Sequence, residues 1–186
     1  MTVQSKDSLI LKGKRYSINA NLSDLELLKH LGVEKYKSKS SRNWRGYSAQ
    51  FIIRNDFFCL NEIILHNDEE QGKIEQTLKN FFSKYEDGRI NWLNDLIILE
   101  GDDENEPIRI ILEISNGSLI KVLHCNDAEF EELEKAQFKN FIGSDEYKRK
   151  IEFYLSMNDK ENVLFTEEIV IGFMEKNIFS YSTKLY

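Results

Sequence analysis

The segment NWRGYSAQFIIRNDFFCLNEIIL, residues 43–65, decides the fold of this chain. Its turn-forming pair Asn55 and Asp56 separates two apolar runs, which is typical of a β-hairpin. Because side chains alternate across a strand, the first run is predicted to place four residues on a core face: Tyr47, Ala49, Phe51 and Ile53. The second run is apolar on both faces, which favours a strand covered on two sides. The rest of the chain must therefore supply this cover.

Two more hairpins are predicted on either side of this segment. The first spans residues 9–18, and Gly13 supplies its turn. The second spans residues 90–99, where two short apolar runs flank Asn94 and Asp95. This spacing favours a tight hairpin over one long strand, with Trp92 in the core.

The dipeptide Asn116–Gly117 gives the strongest turn signal in the chain, because both residues tolerate the positive φ angles of a type I′ turn. It predicts a hairpin whose strands pair Ile114 with Leu119, and Leu112 with Lys121. One face would carry Ile110, Leu112, Ile114, Leu119 and Leu123, and the other Ile111, Ile120 and Val122.

Helices are predicted where apolar residues recur at a spacing of three or four. A capping box at Ser23 and a terminal Gly32 define the first, and residues 74–82 form the second. The C-terminal part contains two more, over residues 130–141 and 144–155. Residues 163–178 fit either a strand or a capped helix, and their spacing leaves both open.

These elements predict an α+β fold. A curved, mainly antiparallel β-sheet built from hairpins is covered by amphipathic helices, including a C-terminal helical segment. A single domain over residues 1–186 is expected. Its β-rich body with two helices would occupy residues 1–126, and a mainly helical part, residues 127–186, would pack on that body.

Composition favours a cytoplasmic protein that does not enter a membrane. The two cysteines, Cys59 and Cys125, lie in apolar runs, as buried free thiols do in a reducing compartment. The N-terminus lacks the apolar stretch of a signal peptide, and no window approaches the roughly 18 apolar residues of a membrane span.

Charge is unevenly distributed along the chain, whose net charge is −7. Residues 1–60 contain 11 basic and 5 acidic side chains, whereas residues 61–186 contain 14 basic and 27 acidic ones. An acidic chain repels nucleic-acid phosphate on average, although a local basic segment can still bind an anion.

Three fragments of the sequence resemble one family of small, uncharacterised bacterial proteins. WRGYSAQFIIRNDFFCL resembles the family's hairpin W-x-G-Y-x-A-x-W/F-x-I-x-x-x-x-L-x-L, and INWLNDLIILEG and ILEISNGSLI resemble two later segments, in the same order. The motif positions are occupied by Trp44, Gly46, Tyr47, Trp92, Gly101 and Gly117. Asn94 or Asp95 stands where the family often has glycine. The resemblance covers roughly residues 8–123 and implies a β-rich fold, but no activity.

Motifs of the familiar enzyme classes are missing from the sequence, which favours a non-enzymatic protein. His124 and Cys125 are strand neighbours on opposite faces, so a catalytic pair would need another partner such as His66. Cys59, His66, His124 and Cys125 offer suitable atoms for zinc but lack the spacings of a zinc site. We predict no catalytic residue, cofactor or metal, and an unmotifed hydrolase using His124 or His66 remains the alternative.

The favoured function is that of an acidic protein-binding module, such as an immunity protein that neutralises a basic toxin. Charge complementarity would speed the encounter with a basic protein partner. The predicted partner-binding residues lie in one acidic loop: Asp102, Asp103, Glu104 and Glu106.

The alternative function is binding of an anion or single-stranded nucleic acid through the basic loop 35–45. Aromatic residues interleave there with five cations: Lys35, Lys37, Lys39, Arg42 and Arg45. Cations neutralise phosphates and rings stack on bases, but the acidic body disfavours a long polyanion.

Overall fold

The computed structural model describes residues 6–18, 27, 47–65, 79, 81–100, 109–157 and 165–186. The strands are β1 Ser8–Leu11, β2 Lys14–Ile18, β3 Tyr47–Arg54, β4 Phe57–Leu65, β5 Asp95–Glu100, β6 Arg109–Ser115 and β7 Ser118–Cys125. The C-terminal helices are α1 Asp127–Phe141, α2 Asp145–Ser156, α3 Glu167–Lys176 and α4 Ile178–Tyr181. Residues 81–84 are also helical and precede a 3-10 turn, Glu86–Gly88.

The seven strands close into a barrel in the order β1-β2-β5-β6-β7-β4-β3. The predicted α+β class and the mainly antiparallel pairing are confirmed, but the closure of the sheet was not predicted. Closure depends on β1, which pairs antiparallel with β2 and parallel with β3. The Asp7 carboxylate strengthens this junction by accepting a hydrogen bond from the Ala49 backbone N–H at 2.8 Å.

The predicted central hairpin is confirmed. Asn55 and Asp56 have φ angles of 50° and 62°, and β3 pairs with β4 along its whole length. Phe51 and Phe58 stack inside the barrel with ring centroids 4.8 Å apart. Side chains fill the interior, as expected for a barrel of about eight strands. We call this set the barrel interior, and its buried members include Leu9, Leu11, Ile18, Ala49, Phe51, Phe58, Leu60, Ile97, Leu99, Ile110, Leu112 and Ile114.

The hairpin of β6 and β7 turns at Asn116 and Gly117 as predicted, with φ angles of 47° and 73°. Its register beyond Leu119 was predicted wrongly. The register shifts between Glu113 and Ile114, where β7 has the extra residue Ile120, so Lys121 pairs with Glu113, and Leu112 pairs with Val122. One extra residue exchanges the two faces of a strand. Val122 therefore packs on the barrel interior and Leu123 on the outside, whereas Ile120 is 59% exposed.

The hairpin predicted over residues 90–99 is wrong, because only its second half is a strand, β5. The first half turns across the gap between β4 and β7, which share a single registered pair, Phe57 with Ser118. The backbone N–H of Ile90 donates to the Phe58 carbonyl at 3.0 Å, and that of Gly117 donates to Leu93 at 2.9 Å. These bonds satisfy groups that a hairpin would have paired internally.

The C-terminal helices form as predicted. Of the segment 163–178, for which a strand and a helix were both left open, the structure describes residues 165–178, and these contain the helix α3 and no strand. Each of the three longer helices begins at a polar cap. The side-chain oxygens of Asn126, Ser144 and Thr166 accept backbone N–H groups in the first turns of α1, α2 and α3.

These helices cover the outer face of β5, β6 and β7, as the two-sided apolar pattern of the β6–β7 hairpin requires. We call the buried residues between the sheet and the helices the helical layer. It joins Leu96, Ile111 and Cys125 of the sheet to residues from all four helices: Phe130, Phe141, Ile151, Val170, Met174, Ile178 and Phe179.

Several predicted segments lie outside the described residues. They include most of helix 23–32, of which Leu27 is helical and buried, and most of helix 74–82. Within the ranges described, none of the helices is long and apolar enough to cross a membrane.

Candidate functional site

A cavity of about 330 Å³ opens where the first residue of β5 meets α2 and α4. Its lining combines a carboxylate, hydroxyl groups, an amide and aromatic rings: Asp95, Leu96, Tyr154, Asn177, Phe179, Ser180 and Tyr181. We call it the Asp95 cavity. Among the described residues of this lining, Asp95 is the one with a formal charge, which is negative at neutral pH.

Burial raises the pKa of the Asp95 carboxyl to about 6, because the charged form loses its hydration. The backbone N–H of Leu96, which donates to Asp95 Oδ1 at 2.9 Å, and the charge of Lys150 oppose this rise. Glu146 adds to it. Lys150 and Asp95 form no ion pair within 4 Å, so Asp95 remains half-buried without a cation in contact.

One face of α2 forms a wall beside Asp95. Glu146, Lys150 and Tyr154 follow one another at intervals of four residues, which places them on the same side of a helix. Tyr154 packs on Tyr181 with ring centroids 5.9 Å apart. Burial is the main cause that raises the pKa of Tyr154, and the charge of Tyr181 raises it further. The two rings therefore form a neutral aromatic wall.

The C-terminal residues are held beside this site by two side chains. Buried Gln137 donates to the Lys184 carbonyl at 2.7 Å and accepts from the Tyr186 N–H at 2.9 Å. Glu146 accepts from the Thr183 N–H and the Tyr186 hydroxyl, each at 3.1 Å. Glu146 is thus engaged by these donors rather than aimed into the cavity.

An apolar groove continues from the cavity between α2 and α3. Tyr154 and Tyr181 line both spaces, and Phe165, Val170 and Phe173 complete the groove. Beside it stand three exposed apolar side chains, which we call the aromatic patch: Phe153, 57% exposed; Ile169, 45%; and Phe173, 53%. Water therefore contacts large apolar groups on two neighbouring helices.

The cysteines and the described histidine do not converge. Cys125 is buried while His124 is exposed, as predicted for strand neighbours, and burial raises the thiol pKa of both Cys125 and Cys59. Such thiols are poor nucleophiles. His66 lies outside the described residues, and within the described part no three His, Cys, Asp or Glu side chains cluster as metal ligands.

Both predicted binding loops also fall outside the described residues. This applies to the acidic residues Asp102, Asp103, Glu104 and Glu106, and to the basic residues Lys35, Lys37, Lys39, Arg42 and Arg45. Their roles stay predictions.

The Asp95 cavity was missed at the sequence level. The sequence predicts a turn at Asp95 and a helix that includes Tyr154, and neither residue has a motif around it. A lone acid directly before the apolar run Leu96–Leu99 was the available signal. Its partners follow about 60 to 85 residues later, so only the tertiary fold brings them together.

Comparison with known proteins found no match among protein-family models, curated proteins or solved structures. The resemblance to the family with the W-x-G-Y hairpin stays a prediction.

Proposed function

We propose that this protein is a non-enzymatic binding module that captures a basic protein partner. The observation that carries the proposal is the aromatic patch. Scattered exposed apolar residues are ordinary, but contiguous ones beside a groove are typical of interaction sites. Phe173 lines the groove itself, and Phe153 and Ile169 directly precede the groove residues Tyr154 and Val170 on the two helices.

Charge around the patch supports a basic partner. Helix α3 begins with Glu167 and Glu168 and carries one lysine against three acids, and Glu152 directly precedes Phe153. An apolar centre with a charged rim is the usual anatomy of a protein interface. A partner with apolar and cationic side chains would complement both parts, and a basic toxin neutralised by an immunity-type protein is one such partner.

Site-specific photo-crosslinking in the native host tests the proposal. A photoreactive residue at position 173 should form a cross-link to a defined basic protein, because Phe173 lines the groove and is 53% exposed. The same residue at Ile120, which is equally exposed on β7, is the matched control and should not capture that protein. The purified partner should then bind wild type at least about tenfold more tightly than Phe173→Ala.

Equal capture at positions 120 and 173, or unchanged affinity of Phe173→Ala for the purified partner, would contradict the proposal. Circular dichroism of both variants shows whether the fold is intact.

A further inference from the structure

We propose that the Asp95 cavity binds the guanidinium group of an arginine side chain presented by the protein partner. The inference rests on the proposed function and specifies what the partner inserts beside the aromatic patch.

The first argument is the chemistry of the cavity lining. Its single formal charge is the Asp95 carboxylate, and Tyr154 and Tyr181 form a wall on one side. A carboxylate can accept two parallel N–H bonds from a guanidinium, and that planar cation also stacks on aromatic rings. Ser180 and Asn177 add oxygen acceptors in the same lining.

The second argument is that the chain itself supplies no cation in contact with this carboxylate. In the part of the chain that the structure describes, the one hydrogen bond to the Asp95 carboxylate comes from the backbone N–H of Leu96. Lys150 influences Asp95 through its charge but makes no ion pair with it. A half-buried carboxylate without a cation in contact disfavours folding, and beside an open cavity it suits a ligand of opposite charge.

The third argument is continuity between the cavity and the groove. Tyr154 and Tyr181 belong to both, so a chain lying on the aromatic patch can reach Asp95 with one long side chain. Arginine suits this position because its apolar stem would lie along the rings while its head reaches the carboxylate.

The test is an NMR titration of the full ¹⁵N-labelled chain with N-acetyl-arginine methylamide. Signals of Asp95, Ser180 and Tyr181 should shift. N-acetyl-citrulline methylamide, which has the same length and no charge, should bind at least about tenfold more weakly. Asp95→Asn should abolish the difference in affinity between the two probes. Asp145→Asn removes an exposed carboxylate at the start of α2 and should preserve that difference.

The pH dependence gives a second readout. Binding should weaken as the pH falls below about 6, approaching tenfold per unit, because protonated Asp95 carries no charge. Glu146, Lys150, Tyr154 and Tyr181 also lie near this carboxylate, so Glu146→Gln is titrated in parallel. Its midpoint should move to lower pH, because the Glu146 charge adds to the raised Asp95 pKa, but the pH dependence itself should remain. Equal binding of arginine and citrulline probes, or a pH profile unchanged by Asp95→Asn, would overturn the inference.

The source of the guanidinium is separated by comparing agmatine with a short peptide that carries arginine between apolar residues. The peptide should bind more tightly than agmatine, and Phe173→Ala should weaken the peptide alone. Preference for agmatine would overturn the assignment to a protein side chain. If the cross-linked partner binds Asp95→Asn as well as wild type, the inference is wrong while the proposed function stands. Failure of cross-linking at position 173 removes the proposed function instead.

Discussion

The barrel interior and the helical layer are both apolar, but they are built differently. The barrel interior is aliphatic and aromatic throughout, and neighbouring hairpins in the sheet provide almost all of it. The helical layer joins residues up to 83 positions apart, from Leu96 to Phe179. Buried polar side chains occur on both sides, with Asp7 and Gln50 at the barrel and Gln137 and Ser182 in the helical part. The half-buried carboxylate, the cavity and the exposed aromatic rings all lie on the helical side.

This difference separates the closely packed barrel from the region that holds the candidate site. A closed barrel leaves little freedom inside, because every interior side chain packs on several strands. The helical layer leaves space at the junction of β5, α2 and α4, where groups that disfavour folding can be tolerated. We therefore expect substitutions in the two regions to change the stability of the protein for different reasons.

The largest effect is expected from Gly117→Ala at the edge of the barrel. Gly117 has a φ of +73°, and an added Cβ would stand 2.5 Å from the Ile90 carbonyl oxygen. Strain and backbone collision together should lower the free energy of unfolding by about 3 kcal/mol or more. Urea denaturation measures the change.

Gly13→Ala is the matched control for this substitution, since Gly13 has a similar φ of +81° but open space around it. It should cost about 1 to 2 kcal/mol. Equal losses in both variants would mean that close packing on the loop 89–93 does not matter.

A smaller effect is expected from Gln137→Leu in the helical layer. The substitution keeps the volume but leaves the Lys184 carbonyl and the Tyr186 N–H without the partner that Gln137 provides. Unsatisfied buried groups should cost about 2 kcal/mol. Thermal unfolding measures this loss, and Lys135→Gln, which breaks an exposed ion pair with Glu132, should change stability by less than about 0.5 kcal/mol. A neutral Gln137→Leu would show that this layer, like the barrel interior, depends on apolar packing alone.

The smallest effect is expected from Asp95→Asn, and its sign is opposite. The folded-state pKa of Asp95 is raised from 3.8 to about 6, so folded protein binds the proton more tightly than unfolded protein does. Stability therefore falls as the pH rises from about 4 to 6, and the full penalty applies above 6. Removing the charge should stabilise the protein by about 1 to 2 kcal/mol at pH 7.5, after allowance for partial exposure, and by almost nothing at pH 3.5.

Chemical denaturation at the two pH values measures this difference, with Asp145→Asn as the exposed control. A destabilised Asp95→Asn at pH 7.5 would show that the carboxylate supports the fold, and the contrast between the two regions would weaken.

Local signals in the sequence predicted most of the elements but not how they join. The turn at Asn116–Gly117 and the caps at Ser144 and Thr166 act within a few residues, so their chemistry is visible in the sequence. Barrel closure depends on the pairing of β1 with β3 across about 40 residues, and no periodicity reports such a pair. The bulge at Ile120 was not predicted for a related reason. The alternation of residues 119–123 fits either register, and only packing against the helices determines which face is buried.

The candidate site was less predictable than the fold. Asp95 and Tyr181 are 86 positions apart, and each is unremarkable in its local context. The candidate site lies where the sheet and the helices meet, so its position depends on tertiary packing.

The two left-handed turns at Asn55–Asp56 and Asn116–Gly117 also have a consequence for folding. The Phe58 N–H donates to the Gly117 carbonyl, and the Leu119 N–H donates to the Asp56 carbonyl, so the two hairpin tips are hydrogen-bonded to each other. Each hairpin can form early from local contacts, but the hydrogen bonds between the two tips form only after a loop of about 60 residues closes. These hydrogen bonds should therefore form in the last stage of folding, when the two preformed hairpins meet.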